Sequence, residues 1–553
     1  MIQFIEDASS CLITINRTYT QEDNQLLEQL FAKNYASYDV TIASLYTIPA
    51  SLVKLLKEAQ KQHHIHLCAT NGRVVRYLHK LGFDVMHFMV ARQLKVPCKD
   101  ADVLVIGGSA QSTHHILELI EGIDTTAFSI VVVQHIGHTM QELLERLLSE
   151  VTQTKVAYAK DGDRLVKNRI FIAPKDFHLS IEDGYLRLDK GEAVNGAKPS
   201  ISVTFSSLSS YYKEKMIAIV ECGYAYDGVD VLQSIQNNGS TVLVQKPTSC
   251  GDADSIPKYA IESRHYNYVL DLLEMQEFLQ ILKMHKERDA WIVYLLEKIY
   301  QKYEYDYRGY AKDMINRRIK LFMMKYALET MQELVLLLLF NRFAFKLFFL
   351  KVSINVSEFF RDTVCMKKVM EFFVKFRHNY HNKIWCAGVS QGQEAYSIAI
   401  LLDSMDLLQK STIYATDFNP IVIEEAKNGL YGMQEYEKAK ANFAKLDVEG
   451  SLEEYFTLYD SFVSIDAALQ EKILFFVHDL QSAGSFNEFD FIVCRNVLIY
   501  FDMQLQKHVF KLLYDSLKFG GYLFLGSNEF LLAEYEDRFR VVSNECKIFM
   551  KVQ

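Results

Sequence analysis

The sequence predicts an α/β protein built from several domains. Its 553 residues exceed the usual size of one domain and correspond to about three or four. Short apolar stretches typical of buried strands alternate with amphipathic stretches typical of helices over most of the chain. Half of the residues are hydrophobic and the net charge is only −9, so each domain can form a core and no nucleic-acid-binding signature is present.

Targeting and cysteine patterns predict a cytoplasmic protein without membrane insertion. The first residues, MIQFIEDASS, lack the basic and apolar regions of a signal peptide. The most apolar segment, 334–351, is interrupted by Asn341, Arg342 and Lys346, which favours a buried helix pair over a membrane span. The nine cysteines show no C-x-x-C spacing and no Cys/His cluster. We therefore expect no disulfide framework, no metal site and a reducing compartment.

Residues 1–96 predict a small α/β domain with the order β-α-β-α-β-α, in which CLITI, YDVTIASL and HIHLCAT are the strands. The pattern resembles the STAS domains of anti-sigma-factor antagonists, whose phosphorylated turn would fall on residues 48–52 with Ala50 in place of the serine. That resemblance implies a docking or regulatory module that this phosphorylation does not switch. The rival interpretation is a degenerate receiver domain of a response regulator, but its phospho-acceptor aspartate cannot be placed.

Residues 100–276 predict a doubly wound parallel sheet with polar residues where its strands end. The strands VLVIGGS and SIVVVQH end on Ser109 and His135, and MIAIVECG leads into a turn that carries Asp227. Because the carboxyl ends of parallel strands meet at one edge, these residues can assemble a nucleophile, a base and an orienting acid. In the alternative interpretation, Ser109 only caps a helix, His135 is a loop residue and Asp227 forms a turn.

The same region resembles the chemotaxis receptor methylesterases, the CheB family, in VIGGS, VVVQHIGHT, AKDGDRL, NRIFIAPKDFHL and ECGYAYDGVDVLQSIQNNG. The resemblance implies hydrolysis of glutamate methyl esters to glutamate and methanol, with Ser109, His135 and Asp227 as the catalytic triad. Two departures surround that site. The family's S-T-G-G is Ser109-Ala110-Gln111-Ser112 here, and the methionine of its G-M-G-x-D-G loop is Tyr224. Both changes predict a narrower pocket or displaced oxyanion donors.

The region that follows is predicted to be helical, because proline is absent between Pro257 and Pro420 and glycine is nearly absent from 276–352. We expect a linker helix over 277–304 and a helical subdomain over 305–352.

Residues 353–553 predict a Rossmann-like domain. The stretch IWCAGVSQGQEAYS, residues 384–397, is typical of a strand, a turn at Gly388 and Gly392, and a helix start, an arrangement that presents backbone N–H groups to a nucleotide-like ligand. The next strand, STIYATD, ends on Asp417, where a carboxylate can accept hydrogen bonds from ribose hydroxyls. The alternative is that the glycines serve packing alone.

Six blocks in this half resemble the S-adenosylmethionine-dependent methyltransferases of chemotaxis, the CheR family: NVSEFFRD, AGVSQGQEAYS, ATDFNP, AKNGLY, CRNVLIYF and GGYLFLGSNE. The resemblance implies methylation of receptor glutamates with S-adenosyl-L-methionine as the methyl donor. Arg361 and Tyr500 are the expected catalytic residues. The positions expected to contact the methyl donor are Asn355, Ser357, Arg361, Glu394, Asp417, Asp479, Leu480, Asn496 and Val497.

Two further segments carry expectations from the same resemblance. Residues 305–352 resemble the family's helical subdomain, and residues 451–477 fall where the family has a small β-subdomain that docks receptors. Asp479 replaces a usual asparagine, and Gln393 replaces the first glutamate of a G-E-E motif.

Taken together, these patterns predict a protein that joins opposed activities on methyl-accepting chemotaxis receptors, with its N-terminal domain gating them. One alternative is a methyltransferase-bearing signalling scaffold whose esterase-like domain is inactive and only binds receptors. Another is methyl transfer to a small molecule or to a different protein.

Overall fold

The computed structural model describes residues 2–6, 10–16, 19–33, 37–43, 48–62, 64–69, 72–81, 83, 85–87, 101–135, 141–352, 357–459 and 461–553. The chain forms two compact units. The first contains residues 1–90, 306–317 and 352–553, and the second contains residues 91–305 and 318–351. We call residues 1–90 the N-terminal domain, residues 101–283 the middle domain and residues 352–553 the C-terminal domain.

The N-terminal domain is a five-stranded sheet in the order β1-β2-β3-β4-β5, with β1 antiparallel to β2 and the other neighbours parallel. Its strands are β1 Ile2–Glu6, β2 Ser10–Asn16, β3 Ser37–Ala43, β4 His64–Ala69 and β5 Val85–His87. Its helices are α1 Gln21–Phe31, α2 Ala50–Gln62 and α3 Gly72–Lys80. The three predicted strands correspond to β2, β3 and β4, whereas β1 and β5 are additional edge strands.

The middle domain contains a seven-stranded parallel sheet in the order β14-β13-β12-β6-β7-β9-β8, as the doubly wound prediction requires. Its strands, including the hairpin β10-β11, are β6 Val103–Ser109, β7 Ser129–His135, β8 Lys155–Tyr158, β9 Arg169–Ile172, β10 His178–Glu182, β11 Tyr185–Asp189, β12 Met216–Val220, β13 Thr241–Gln245 and β14 Tyr268–Leu270. Its helices are α4 Thr113–Glu121, α5 Gln141–Val151, α6 Ile201–Tyr212, α7 Leu232–Asn237, α8 Ser255–Ser263 and α9 Leu272–Lys283. Strands β6, β7 and β12 are continuous apolar runs because both faces of the sheet are covered.

Four helices follow: α10 Arg288–Tyr303, α11 Lys312–Lys325, α12 Met331–Phe340 and α13 Arg342–Val352. The apolar segment 334–351 is therefore a helix pair broken at Asn341, as its polar residues predicted. Leu334 to Leu339 are all buried. Among the helices of the residues that the structure describes, none combines the length and apolar character that a membrane span requires.

The C-terminal domain is built on a second seven-stranded sheet, in the order β20-β16-β15-β21-β22-β24-β23. Its five strands from β20 to β22 are parallel, and β24 and β23 are antiparallel additions at one edge. The strands of this domain are β15 Asn382–Ala387, β16 Ser411–Asp417, β17 Leu430–Gly432, β18 Phe456–Leu458, β19 Phe462–Ile465, β20 Ile473–Val477, β21 Phe489–Cys494, β22 Leu517–Leu525, β23 Phe539–Ser543 and β24 Ile548–Lys551. The helices are α14 Thr363–Phe373, α15 Gln393–Asp403, α16 Pro420–Asn428, α17 Met433–Phe443, α18 Ala467–Gln470 and α19 Met503–Ser516.

A separate three-stranded antiparallel sheet, in the order β17-β19-β18, lies between the parallel strands in sequence. Its position differs from the segment 451–477 that the sequence indicated. The sheet begins earlier, at Leu430, and the last strand of that segment, β20, joins the main sheet beside β16. We call β17, β18 and β19 the small sheet.

The cysteine pattern led to a wrong expectation. Two disulfides are present, Cys222–Cys250 and Cys365–Cys546. The paired residues are 28 and 181 positions apart, so only the folded chain brings them together.

Candidate active sites

The middle domain has a candidate site at a point where the strand order reverses. Strand β6 is the first strand of this sheet, and its two neighbours, β7 and β12, lie on opposite sides of it. Ser109 and His135 end β6 and β7 and are direct partners in the parallel ladder. Open α/β sheets place ligands at this kind of crevice, beyond the carboxyl ends of the strands.

Asp227, a member of the predicted triad, is fixed by several hydrogen bonds. Its carboxylate accepts hydrogen bonds from His135 Nε2 at 2.9 Å and from the Ile201 N–H at 2.7 Å. The hydroxyls of Ser200 and Ser202 also donate to it, each at 2.8 Å. Burial alone would raise the pKa of Asp227, but these hydrogen bonds outweigh it and lower the pKa to about 2. Asp227 is therefore an anion that orients the His135 ring.

Ser109 faces a different partner. Its hydroxyl donates a 2.6 Å hydrogen bond to Gln111 Oε1, and among the described residues no hydrogen bond joins it to His135. Gln111 is the residue that replaces a glycine of the predicted family's serine loop. The structure thus brings His135 and Asp227 into contact, whereas the hydroxyl of Ser109, the ladder partner of His135, is bonded to Gln111.

The loop after β12 packs directly against Ser109. The Ser109 N–H donates to the Cys222 carbonyl at 3.1 Å, and a Cβ added at Gly223 would lie 2.9 Å from Ser109 Oγ. Tyr224, in the same loop, is half exposed. Ala225 follows with φ of +71°, a left-handed conformation that is strained for a residue with a Cβ.

The C-terminal domain has the predicted strand, turn and helix at the end of β15, with φ of +75° at Gly388 and +91° at Gly392. Asp417 ends the neighbouring strand β16. Its carboxylate accepts hydrogen bonds from the Ser390 N–H at 2.9 Å and the Asn419 N–H at 3.0 Å. Burial nevertheless raises the pKa of Asp417 to about 6. The Ser390 hydroxyl is buried at this turn without a hydrogen-bond partner among the described residues.

Most of the predicted methyl-donor contacts line two adjoining cavities. One, of about 260 Å³, is lined by Ser357, Arg361, Glu394, Asn496 and Tyr500 among others. The other is lined by Asp417, Asp479, Leu480, Asn496, Val497 and Tyr500 among others. Both cavities also share Gly388 and Ser390. Asn355, the remaining predicted position, lies outside the described residues.

A buried ion pair supports this cleft. Arg495 is 6% exposed and donates from Nη1 to Glu394 Oε2 at 3.0 Å, while its Nη2 contacts Asp362. Burial raises the pKa of Glu394, and the opposite charges of Arg495 and Arg361 reduce that rise. Arg361 lines the cavity, and its guanidinium makes no hydrogen bond or ion pair with a described residue. Its charge is therefore directed at the cleft.

The roles of three residues at these sites were not predicted from the sequence, in which Gln111 stood out only as a departure in the serine loop and Arg495 and Glu529 were not singled out. Gln111 accepts the hydrogen bond of the Ser109 hydroxyl, and Arg495 forms an ion pair with Glu394. Glu529 is buried and accepts hydrogen bonds from the N–H groups of Gly526 and of residues 496–498 at 2.6 to 2.9 Å, which holds the Asn496 loop in place. Arg495 and Glu529 both lie in blocks that carried the family resemblance, and each follows a buried strand. A charged residue in such a position was the feature of the sequence that could have identified them.

Comparisons with known proteins match the two domains in which these sites lie. The family model for the CheR methyltransferase SAM-binding domain matches residues 355–548, and that for CheB methylesterase matches residues 104–279. A Pseudomonas putida protein provisionally named methyltransferase Cher3 is 35% identical over 48% of this chain and 98% of its own length. A Leptospira interrogans protein provisionally named protein-glutamate methylesterase/protein-glutamine glutaminase is 32% identical over 32% of this chain and 92% of its own length. The chemotaxis protein methyltransferase of Listeria innocua is 31% identical over 40% of this chain and 83% of its own length.

Proposed function

The chain belongs to the CheR methyltransferase family through residues 355–548 and to the CheB methylesterase family through residues 104–279, and we propose that it both adds and removes methyl groups on the glutamates of chemotaxis receptors. The observation that carries this proposal is the presence of two separate sites, each beyond the parallel strands of its own sheet at the point where the strand order reverses, which is β6 in the middle domain and β15 in the C-terminal domain. The proposed compartment is the cytoplasm, where S-adenosyl-L-methionine and the signalling ends of receptors would be available.

S-adenosyl-L-methionine would lie along the two adjoining cavities of the C-terminal domain. The unpartnered hydroxyl of Ser390 and the carboxylate of Asp417 are hydrogen-bonding groups of the kind that a ribose requires. When bound, this donor supplies an electrophilic methyl group. Leu480, Val497 and Tyr310 give the cavity apolar walls that exclude water from the reaction.

Transfer to glutamate requires orientation rather than acid or base chemistry. A receptor carboxylate, with an ordinary pKa of about 4.3, is already ionised at neutral pH. We assign Arg361 and Tyr500, which line the same cavity, to binding that carboxylate and aligning one of its oxygens for attack. The Arg495–Glu394 ion pair and Glu529 position the cleft that holds them.

Hydrolysis would proceed in the middle domain through Ser109, His135 and Asp227. Because His135 Nε2 is bonded to Asp227, Nδ1 is the nitrogen left to take the proton of Ser109 as Oγ attacks the ester carbonyl. The same nitrogen returns the proton to the departing methoxide, which leaves as methanol. A water molecule then releases glutamate from the serine by the reverse sequence of proton transfers. These steps require that the hydrogen bond from the Ser109 hydroxyl to Gln111 is broken first.

One experiment tests both activities. Labelled methyl groups are transferred from S-adenosyl-L-methionine to receptor-containing membranes, and the label later released as methanol is measured. We expect uptake followed by release. The signalling-scaffold alternative is favoured by the hydrogen bond from Ser109 to Gln111, and it predicts uptake without release.

Gln111→Gly is expected to accelerate ester hydrolysis by about two- to tenfold, because the competing hydrogen bond contributes about 0.5–1.5 kcal/mol. The measurement is the initial rate of methanol release from pre-methylated membranes. Gln111→Glu, which retains an acceptor oxygen, is the matched control and should not accelerate release. A rate for Gln111→Gly at or below that of the wild type would contradict the assignment of Gln111 as a brake.

The N-terminal domain packs against the small sheet, which supports a role in gating methyl transfer. Leu430 and Phe462, from β17 and β19, belong to the apolar core of the N-terminal domain. Asn428 donates from Nδ2 to the Ile48 carbonyl at 2.9 Å and accepts from the Ala50 N–H at 3.2 Å. These contacts fall on the segment where the STAS resemblance places a regulatory turn. That resemblance remains a prediction, because the matching family models do not extend to residues 1–96.

Deletion of residues 1–98 is expected to raise methyl uptake relative to methanol release by about fivefold or more, since it uncovers the surface that would dock receptors and coupling between sites is typically about 1–3 kcal/mol. A milder test keeps the full chain. Lys80→Glu places a like charge beside Glu435, whose carboxylate lies 3.0 Å from Lys80 Nζ, and the double variant Lys80→Glu/Glu435→Lys restores the pair. The single variant should shift the ratio in the same direction and the double variant should restore it. An unchanged ratio in the deletion variant would refute gating.

A further inference from the structure

A cluster of metal-binding side chains lies behind the Ser109 loop in the middle domain. His115 is on α4, and Glu221 and Cys222 directly follow β12. His115 Nδ1 lies 3.2 Å from Cys222 Sγ and 3.8 Å from Glu221 Oε2. The three ligand atoms are all within 4.8 Å of one another. The sulfur of Cys250 is bonded to that of Cys222, so reduction of this bond would free a second thiol beside the three-residue cluster.

The carboxylate of Glu221 lacks a cation or a hydrogen-bond donor to balance its charge among the described residues. Its side chain is fully buried, and neither carboxylate oxygen has a hydrogen-bond partner among the described residues. Burial of a carboxylate without a partner is strongly unfavourable, so such a group is usually matched by a cation or kept protonated. The nearest basic group is the His115 ring, at a distance too long for a hydrogen bond.

The four donors suit one metal in particular. Thiolate sulfur, imidazole nitrogen and carboxylate oxygen are the ligands of tetrahedral zinc, and four protein ligands are typical of structural rather than catalytic sites. Two thiolates and one carboxylate carry three negative charges, of which a divalent cation offsets two inside the protein. A hard cation such as Mg²⁺ or Ca²⁺ would prefer oxygen ligands only.

We propose that reduction of the Cys222–Cys250 disulfide creates a zinc site made of His115, Glu221, Cys222 and Cys250. A dithiol reductant supplies two electrons and two protons, so that the disulfide becomes two thiols and the reductant becomes a disulfide. Zinc then binds both sulfurs as thiolates and displaces the two thiol protons to solvent. The disulfide and the zinc complex exclude each other because they use the same sulfur atoms.

The site lies next to the candidate nucleophile. The Cys222 carbonyl accepts the Ser109 N–H, and Gly223 packs against the Ser109 side chain. A bound zinc ion would therefore fix the backbone that holds Ser109. Metal binding itself does not depend on the proposed esterase activity, and the experiment below measures metal rather than hydrolysis.

The test uses cobalt as a spectroscopic substitute for zinc in the full chain. The protein is reduced with a dithiol, the dithiol is removed by anaerobic gel filtration, and Co²⁺ is titrated. We expect one Co²⁺ per chain, with a thiolate-to-cobalt charge-transfer band that Zn²⁺ abolishes by displacement. The oxidised protein should show no such band.

Variants separate this site from others. His115→Gln, Glu221→Gln and Cys222→Ser should each weaken Co²⁺ binding by at least about 10- to 100-fold, since even loss of a residue that only supports a ligand costs that much. Cys365→Ser, which removes the other disulfide, should bind as the wild type does. Thermal unfolding checks that each variant is folded, and His115→Gln changes a partly exposed side chain that the core does not require. Absence of the charge-transfer band in the reduced wild type, or wild-type affinity in His115→Gln and Glu221→Gln, would overturn the proposal.

Discussion

Ser109→Ala is expected to reduce release of methanol by about 10⁴-fold or more, because removal of a serine nucleophile leaves only the contribution of binding and oxyanion stabilisation. The structure supports this assignment by three features. Ser109 is buried at the end of β6, it is paired in register with His135, and His135 is oriented by an anionic Asp227. Methyl uptake by the same variant should be unchanged, since the C-terminal domain has its own site.

The measurement follows labelled methanol released from membranes that were methylated beforehand, so hydrolysis is isolated from transfer. Ser210→Ala, a change of the same kind on the exposed face of α6, is the control and should release methanol at the wild-type rate. Release by Ser109→Ala at the wild-type rate would show that hydrolysis occurs elsewhere. Equal and negligible release by the wild type and Ser109→Ala would instead support the binding-scaffold alternative.

The backbone positions of both sites were predictable because they follow from the ends of parallel strands. Ser109 and His135 end the neighbouring apolar strands β6 and β7 of one sheet, and Asp417 ends β16, next to β15, in the other. A pattern of apolar and polar residues contains this information directly. The same reasoning located the turn at Gly388 and Gly392. Both have positive φ angles, which glycine adopts freely and which would strain a residue with a Cβ.

Side-chain partners were not predictable in the same way. The hydroxyl of Ser109 donates to Gln111, two residues further along the chain, and this choice of partner depends on rotamers that no sequence pattern specifies. The Arg495–Glu394 pair joins residues 101 positions apart, and the N-terminal domain reaches Asn428 across about 380 positions. The buried cluster around Glu221 was missed for a related reason. Its histidine and cysteines come from three separated segments, which spacing rules for metal sites do not detect.

Arg361→Ala is expected to lower methyl uptake by about 100- to 1000-fold, which is the usual cost of losing one electrostatic contact to a reacting group. The physical reason is the position of its charge. Arg361 lines the same cavity as Asn496 and Tyr500, and its guanidinium makes no hydrogen bond or ion pair with a described side chain, whereas Arg495 beside it is paired with Glu394 and Asp362. Arg361 is thus available to an incoming carboxylate, and Arg495 is not.

Three comparisons distinguish this role from a structural one. Arg361→Lys keeps the charge but loses the planar fork, so it should restore part of the uptake. Arg377→Ala, an exposed arginine of the same domain, should retain the wild-type rate. Binding of S-adenosyl-L-methionine, measured by calorimetry, should change less in Arg361→Ala than the rate of transfer does. If affinity for the methyl donor falls as far as the rate, Arg361 holds the donor rather than the glutamate, and the role of orienting the substrate passes to the hydroxyl of Tyr500 and the backbone N–H groups around Asn496.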